Sequence, residues 1–224
     1  MFAHPPALER WAQFKDKLNP GIWKSAGKKI ESRPLHQYEN GDVYLGEWNS
    51  DTDEPDGYGI RVYNASGSIY QGYFDNGERH GRGIYISGKG RFSGDYFVGD
   101  FSKNDKHGFG VYHYSDGRYY KGYWVDNKPH GIGEKVTPDR SRYYGEFERG
   151  EYNGFGILRW TDGRRYEGGF KRGQRSGMAK WTTSNGKVRF ERWRKDDAVD
   201  EISEQEYVKY LDANHHVQRA DAKE

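Results

Sequence analysis

The sequence predicts an all-β repeat, an elongated and twisted single-layer antiparallel sheet of six hairpins with a degenerate seventh and a short helix at each end. Three observations predict it. The pattern aromatic-x-Gly-x-aromatic recurs six times, and a Gly-x-Gly pair follows each copy, altered to Gly177-x-Ala179 in the sixth. The spacing inside both halves has period two, which places residues i, i+2 and i+4 on one face of a strand. Turn residues that tolerate positive φ separate the halves.

The first element is an N-terminal extension over residues 1–35 with a net charge of +4 across residues 1–33. Within it PPALERWAQFKDKL reads as an amphipathic helix: prolines at its start, Leu8, Trp11, Phe14 and Leu18 on one face, Asn19-Pro20-Gly21 at its end.

Residues 36–194 form the repeat array. Its paired aromatics are Tyr44 and Trp48, Tyr70 and Phe74, Phe97 and Phe101, Tyr120 and Trp124, Tyr143 and Phe147, and Tyr166 and Phe170. Successive first aromatics stand 26, 27, 23, 23 and 23 residues apart, a fixed period of the kind that marks a stacked array. From the second repeat onward the first glycine of Gly-x-Gly lies 11 residues after the first aromatic. Asn76-Gly77, Arg149-Gly150 and Arg172-Gly173 supply turns inside repeats; Ser66-Gly67, Asp116-Gly117, Asp162-Gly163 and Asn185-Gly186 supply them between repeats. The first hairpin loop is enlarged and acidic (Asp51, Asp53, Glu54, Asp56), and SGKGRFSGDYF shifts the phase before the third repeat. In RFERW the spacing places Phe190 as the first aromatic of the seventh repeat and Arg192 in the glycine position.

Residues 195–224 form an acidic C-terminal helix and tail with net charge −5. Ser203 and Glu206 make a capping box ahead of Tyr207, Val208, Tyr210 and Leu211. Both terminal helices are too short to be stable alone, so they dock on the sheet, on a partner, or on a second subunit in a homodimer.

Composition narrows the chemistry. Mean hydropathy is −1.17, yet 19 Tyr, 11 Phe and 7 Trp supply the apolar area that a disordered chain lacks. Without cysteine there is no disulfide, zinc finger or cysteine nucleophile. His80, His107 and His130 each precede the first glycine of a pair, one per hairpin, and read as turn or edge positions rather than metal ligands. Gly88-Lys89-Gly90 lacks the helix a phosphate-binding loop requires. The sequence predicts no enzyme, no metal and no cofactor. No apolar run approaches the roughly 20 residues of a membrane span, and the N-terminus lacks a secretory pattern, so an intracellular protein is expected.

These residues resemble the MORN (membrane occupation and recognition nexus) family, whose unit is close to YxGxWxxGxxxGxGxxxxxxG. The resemblance spans about residues 36–194. It implies a single-layer sheet with an aromatic-lined groove and a scaffold that binds proteins, cytoskeletal ones above all, in settings that include the axonemes of cilia and flagella. Chain length, the segment IWKSAGKK and the long second-to-third connection look similar to a sperm-associated member. The twelve paired aromatics are candidates for the protein-binding face or for sheet packing. A basic patch, Arg159, Arg164, Arg165, Lys171, Arg172, Arg175, Lys187, Arg189, Arg192 and Arg194, is the second candidate surface, within a segment of net charge +8. Its functional reading is a peripheral membrane tether for anionic phosphoinositides. Its bland reading is neutralisation by the acidic tail. Nucleic acid is the least expected partner.

Overall fold

The computed structural model describes residues 27–214; the expected N-terminal helix lies outside them. Fifteen strands form one antiparallel sheet in which spatial order equals chain order. They are β1 (Ile30–Gln37), β2 (Val43–Asn49), β3 (Glu54–Tyr63), β4 (Ser68–Asp75), β5 (Glu78–Ile86), β6 (Tyr96–Ser102), β7 (Asp105–His113) and β8 (Tyr119–Val125), then β9 (Lys128–Val136), β10 (Arg142–Glu148), β11 (Glu151–Arg159), β12 (Arg165–Lys171), β13 (Gln174–Thr182), β14 (Val188–Arg194) and β15 (Asp197–Glu201). A single described helix, α1 (Glu204–Asn214), follows. Two compact units divide the chain: residues through Gly117 with Trp124–Asn127, and Arg118–Tyr123 with Lys128 onward.

Within hairpins the register slips once, as between Gly145 and Phe147 where β10 pairs with β11; between hairpins it does not, as where β11 pairs with β12. The slip is a bulge at the first glycine of Gly-x-Gly. Gly154, with φ of +67°, sits there, in the left-handed region that a side chain would strain. The second glycine answers a different need. Gly145 pairs with Gly156, and the Tyr143 ring lies across both; a Cβ on Gly156 would stand 2.4 Å from the phenol oxygen.

The rings are therefore the core. In the first unit Tyr44 meets Phe74 edge-on at 5.1 Å, Tyr70 meets Phe101 at 5.1 Å and Phe97 meets Trp124 at 5.3 Å. The second unit repeats the contact in Tyr120–Phe147 at 4.9 Å, Tyr143–Phe170 at 5.1 Å and Tyr166–Trp193 at 5.5 Å. Each such pair contributes about 0.5–1.5 kcal/mol beyond its buried area. The bulge leaves a carbonyl for each phenol: Tyr143 donates to the Glu146 oxygen at 2.9 Å, and Tyr44, Tyr70, Tyr120 and Tyr166 do likewise three residues on. Residues Glu47, Asp100 and Glu146 point to the opposite face and accept the N–H that follows the bulge glycine.

The seventh repeat corrects the spacing argument. Trp193 pairs with Gly177, Glu191 with Ala179 and Arg189 with Trp181. Glu191, not Arg192, thus stands in the glycine position, and the 23-residue step is kept from Tyr166 to Arg189. The Trp193 ring decides the phase, because it completes the ladder against Tyr166, while Phe190 turns to the other face. There it meets Tyr207 of α1 at 5.4 Å. The capping box forms as expected, with Ser203 N–H donating to the Glu206 carboxylate at 2.8 Å and Glu206 N–H to Ser203 Oγ at 3.2 Å. Tyr207 is buried and donates to the Glu167 carbonyl at 2.9 Å. The Tyr210 hydroxyl fills the space a side chain on Gly169 would need. This chain's own helix thus covers the face opposite the ring ladder at the C-terminal end of the second unit.

Candidate functional site

The twelve paired aromatics are 0–5% exposed. They pack the sheet, and the surface on this face is made by what lies over them. That second tier also comes from the repeat. Two residues before the first glycine of each pair stand Pro55, Arg79, Lys106, Pro129, Tyr152 and Arg175; two residues after the second glycine, or Ala179 in the sixth repeat, stand Arg61, Tyr85, Tyr112, Lys135, Leu158 and Trp181. These side chains share the face of the rings by register and are half-buried except Pro55.

Cations rest on rings along this tier. In the first unit the Arg79 guanidinium lies 5.0 Å from the Tyr85 centroid and 5.7 Å from that of Phe101, and Lys106 Nζ lies 5.6 Å from Trp124 and 5.9 Å from Phe97. In the second, Lys135 Nζ stands 5.6 Å from Tyr152 and Arg175 4.1 Å from Trp193. Such contacts contribute about 0.5–2 kcal/mol each, more where water is excluded. Arg61 is paired with Asp42 at 2.9 Å and Arg175 with Asp196 at 3.0 Å. Arg79, Lys106 and Lys135 have no carboxylate within ion-pair distance among the described residues. Burial holds the ammonium groups of Lys106 and Lys135 below the usual lysine range, with help from Arg79 for the first and Arg118 for the second.

The neighbouring hairpin fixes the backbone beneath these cations. The two-residue turns Lys103-Asn104, Asp126-Asn127 and Lys195-Asp196 carry positive φ at both positions without a glycine. In each, the second residue donates its N–H to the carbonyl of the cation two strands back and accepts that residue's N–H on its side-chain oxygen. The pairs are Asn104 with Arg79, Asn127 with Lys106 and Asp196 with Arg175. Where the partner is Pro55 or Pro129 it has no N–H to satisfy, and glycine (Gly77, Gly150) takes the turn position. Sequence reasoning missed both the tier and its support. The signal was present as a cation at one fixed phase (Arg79-His80-Gly81, Lys106-His107-Gly108, Arg175-Ser176-Gly177), masked by attention to the glycines.

The basic patch splits. Arg164 pairs with Asp162, Arg165 with Glu167, Arg175 with Asp196, Arg189 with Glu191 and Arg192 with Asp200, at 2.7–3.9 Å. Two of these acids belong to the segment after residue 194, which therefore takes up part of the charge. Lys171, Arg172 and Arg194 join Lys195 around a shallow cavity of about 310 Å³ beside two hairpin turns. Arg159 and Lys187 lie exposed elsewhere. The opposite face offers Leu45, Phe109 and Tyr123, 48%, 38% and 54% exposed. Among the described residues no three His, Cys, Asp or Glu side chains gather for a metal ion, and no helix is long and apolar enough to cross a membrane.

A family model described as the MORN repeat matches residues 70–92, 97–117, 120–142, 143–164 and 166–188. Comparison with curated proteins finds no match. Among solved structures, the chain is similar to the TCP domain of SAS-4 of Drosophila melanogaster in complex with a proline-rich motif of Ana2, at 13% identity and a TM-score of 0.43, covering 77% of this chain and 95% of that one. It is also similar to the G-box domain of the microcephaly protein CPAP, at 18% identity and a TM-score of 0.37, covering 72% and 93%.

Proposed function

The chain belongs to the MORN repeat family, and we propose that it is a non-catalytic scaffold binding segments of other proteins along the surface laid over its ring ladder. MORN repeats are a non-enzymatic repeat type used for protein binding. One observation carries the finer reading: a tier of half-buried rings and cations stands over a core already complete, and three of its cations have no acid among the described residues opposite them. Cations that rest on rings and face no carboxylate among the described residues are available to acceptor groups of a partner. The setting we infer is cytoskeletal, in an axonemal complex of a cilium or flagellum, and the family resemblance supports it.

The test is quantitative affinity capture of the full chain from ciliated cells, comparing three forms. Tyr85→Ser combined with Trp181→Ser alters the tier on each unit, and Lys171→Glu with Arg172→Glu and Arg194→Glu reverses the basic cluster. The expected result is a loss of specific partners by at least about tenfold in the first variant, equal to roughly 1.4 kcal/mol, with retention in the second. Partners unchanged by the first and lost with the second would move the function to the basic end.

A further inference from the structure

We propose that Arg79 and Lys106 together form an acceptor for an acidic side chain, so that the partner segment on the first unit is an extended acidic peptide with an Asp or Glu carboxylate seated between them. This rests on the docking reading above and specifies its chemistry. Arg79 and Lys106 occupy the same phase of successive hairpins and stand on neighbouring rings, Phe101 and Phe97, whose centroids are 5.1 Å apart. Two positive charges are thus held side by side and partly out of water, with no carboxylate among the described residues within ion-pair distance of either. Asp105, the nearest acid to Lys106 in the chain, does not compensate, because burial and the neighbouring guanidinium outweigh its pull.

Arg79 is also underused. One terminal nitrogen donates to the Asn104 carbonyl at 2.7 Å, but its buried Nε–H has no acceptor. A charged donor left unsatisfied is costly, so the guanidinium gains from a carboxylate at its remaining terminal N–H groups. Arg79 opens onto a cavity of about 330 Å³ lined by Arg61, Tyr63, Ser66, Gly77, Tyr85 and Asn104, and Lys106 stands beside it on the next hairpin. Asp42 already neutralises Arg61, so an entering anion is directed to Arg79. Recessed cations between ring walls select a single side chain with an apolar stem. A flat lipid surface meets protruding cations instead, such as Lys171 and Arg172.

Panning a random dodecapeptide display library on the immobilised full chain, followed by fluorescence anisotropy of the selected peptides, tests this. Asp and Glu should be enriched over Lys and Arg. The best acidic peptide should bind at least tenfold more weakly to Arg79→Met or Lys106→Met, and wild type should lose the same factor when the peptide's acids become amides. Lys121→Met, on the other face, should change nothing. Lys106→Met should fold with an unchanged or higher thermal midpoint, since it removes a desolvated charge where Tyr152 and Pro129 are accommodated in other repeats. Neutral or basic selections lost with Tyr85→Ser would overturn the acidic chemistry and leave the docking face standing. Acidic peptides indifferent to Arg79 and Lys106, or no selected peptide at all, would overturn the proposal, and indifference to Tyr85→Ser as well would overturn both.

Discussion

Raising the pH above 10 is expected to unfold the protein over a narrow range. The rings of Tyr44, Tyr70, Tyr120, Tyr143 and Tyr166 are 0–1% exposed, and burial pushes each phenol well above its ordinary value of 10.0. A folded value above the unfolded one means that, beyond pH 10, the unfolded chain has released protons that the native chain still holds. Stability is therefore full below pH 10 and falls as pH rises toward the folded values, by about 1.4 kcal/mol per pH unit for each residue. Five residues give roughly 7 kcal/mol per unit, against a total stability of about 5–15 kcal/mol for typical domains. Lys106 and Lys135 act in the other direction, because their lowered values make stability rise as pH approaches 10.5. That gain ends where the tyrosine loss begins. Tyrosinate absorbance followed beside far-ultraviolet circular dichroism is the check: the buried five ionise only as the sheet is lost. A single smooth titration with the sheet intact would show that the rings are reachable by water.

Replacing Tyr143 by alanine is the second large effect. Its ring meets Phe147 and Phe170 edge-on at 5.1 Å each, stacks on Tyr152 at 3.8 Å and shields the Gly145–Gly156 pair. Deletion removes apolar area and opens a cavity beneath which no side chain exists to collapse, so a loss of about 3–5 kcal/mol in urea unfolding is expected. Tyr143→Phe should cost only about 1 kcal/mol, the hydrogen bond to the Glu146 carbonyl. Phe97 holds the same place in the third repeat without a hydroxyl. A Tyr143→Ala loss below about 1 kcal/mol would assign this ring to a contact surface rather than the core.

The repeat was legible because its causes are local. Tyr143, Gly145 and Phe147 state the strand period, and Gly154 and Gly156 state the bulge and the close approach. The capping box at Ser203 was equally local. Phase in the seventh repeat was not, because Phe190 and Trp193 are both aromatic and only the ring of Tyr166 distinguishes them. The tier over the rings was hidden for a related reason. Arg79 and Lys106 look like solvated charges in sequence, and only their seats on Tyr85, Phe101 and Trp124 show them as half-buried. The turns Lys103-Asn104 and Asp126-Asn127 lacked the expected glycine because the asparagine side chain hydrogen-bonds to the previous hairpin. The division of the basic patch required the pairing of Arg175 with Asp196 and of Arg192 with Asp200, which follows from β14 and β15.

On the proposed reading, partners meet the ring-ladder face through the tier above it. Lysines report each surface separately: Lys106 and Lys135 on that face, Lys121 on the other, Lys171 and Lys195 at the basic cluster. Amine-directed cross-linking of a captured native complex, read by mass spectrometry, is the most direct measurement. Cross-links to partner segments should concentrate at Lys106 and Lys135. Cross-links confined to Lys121, or to Lys171 and Lys195, would contradict it.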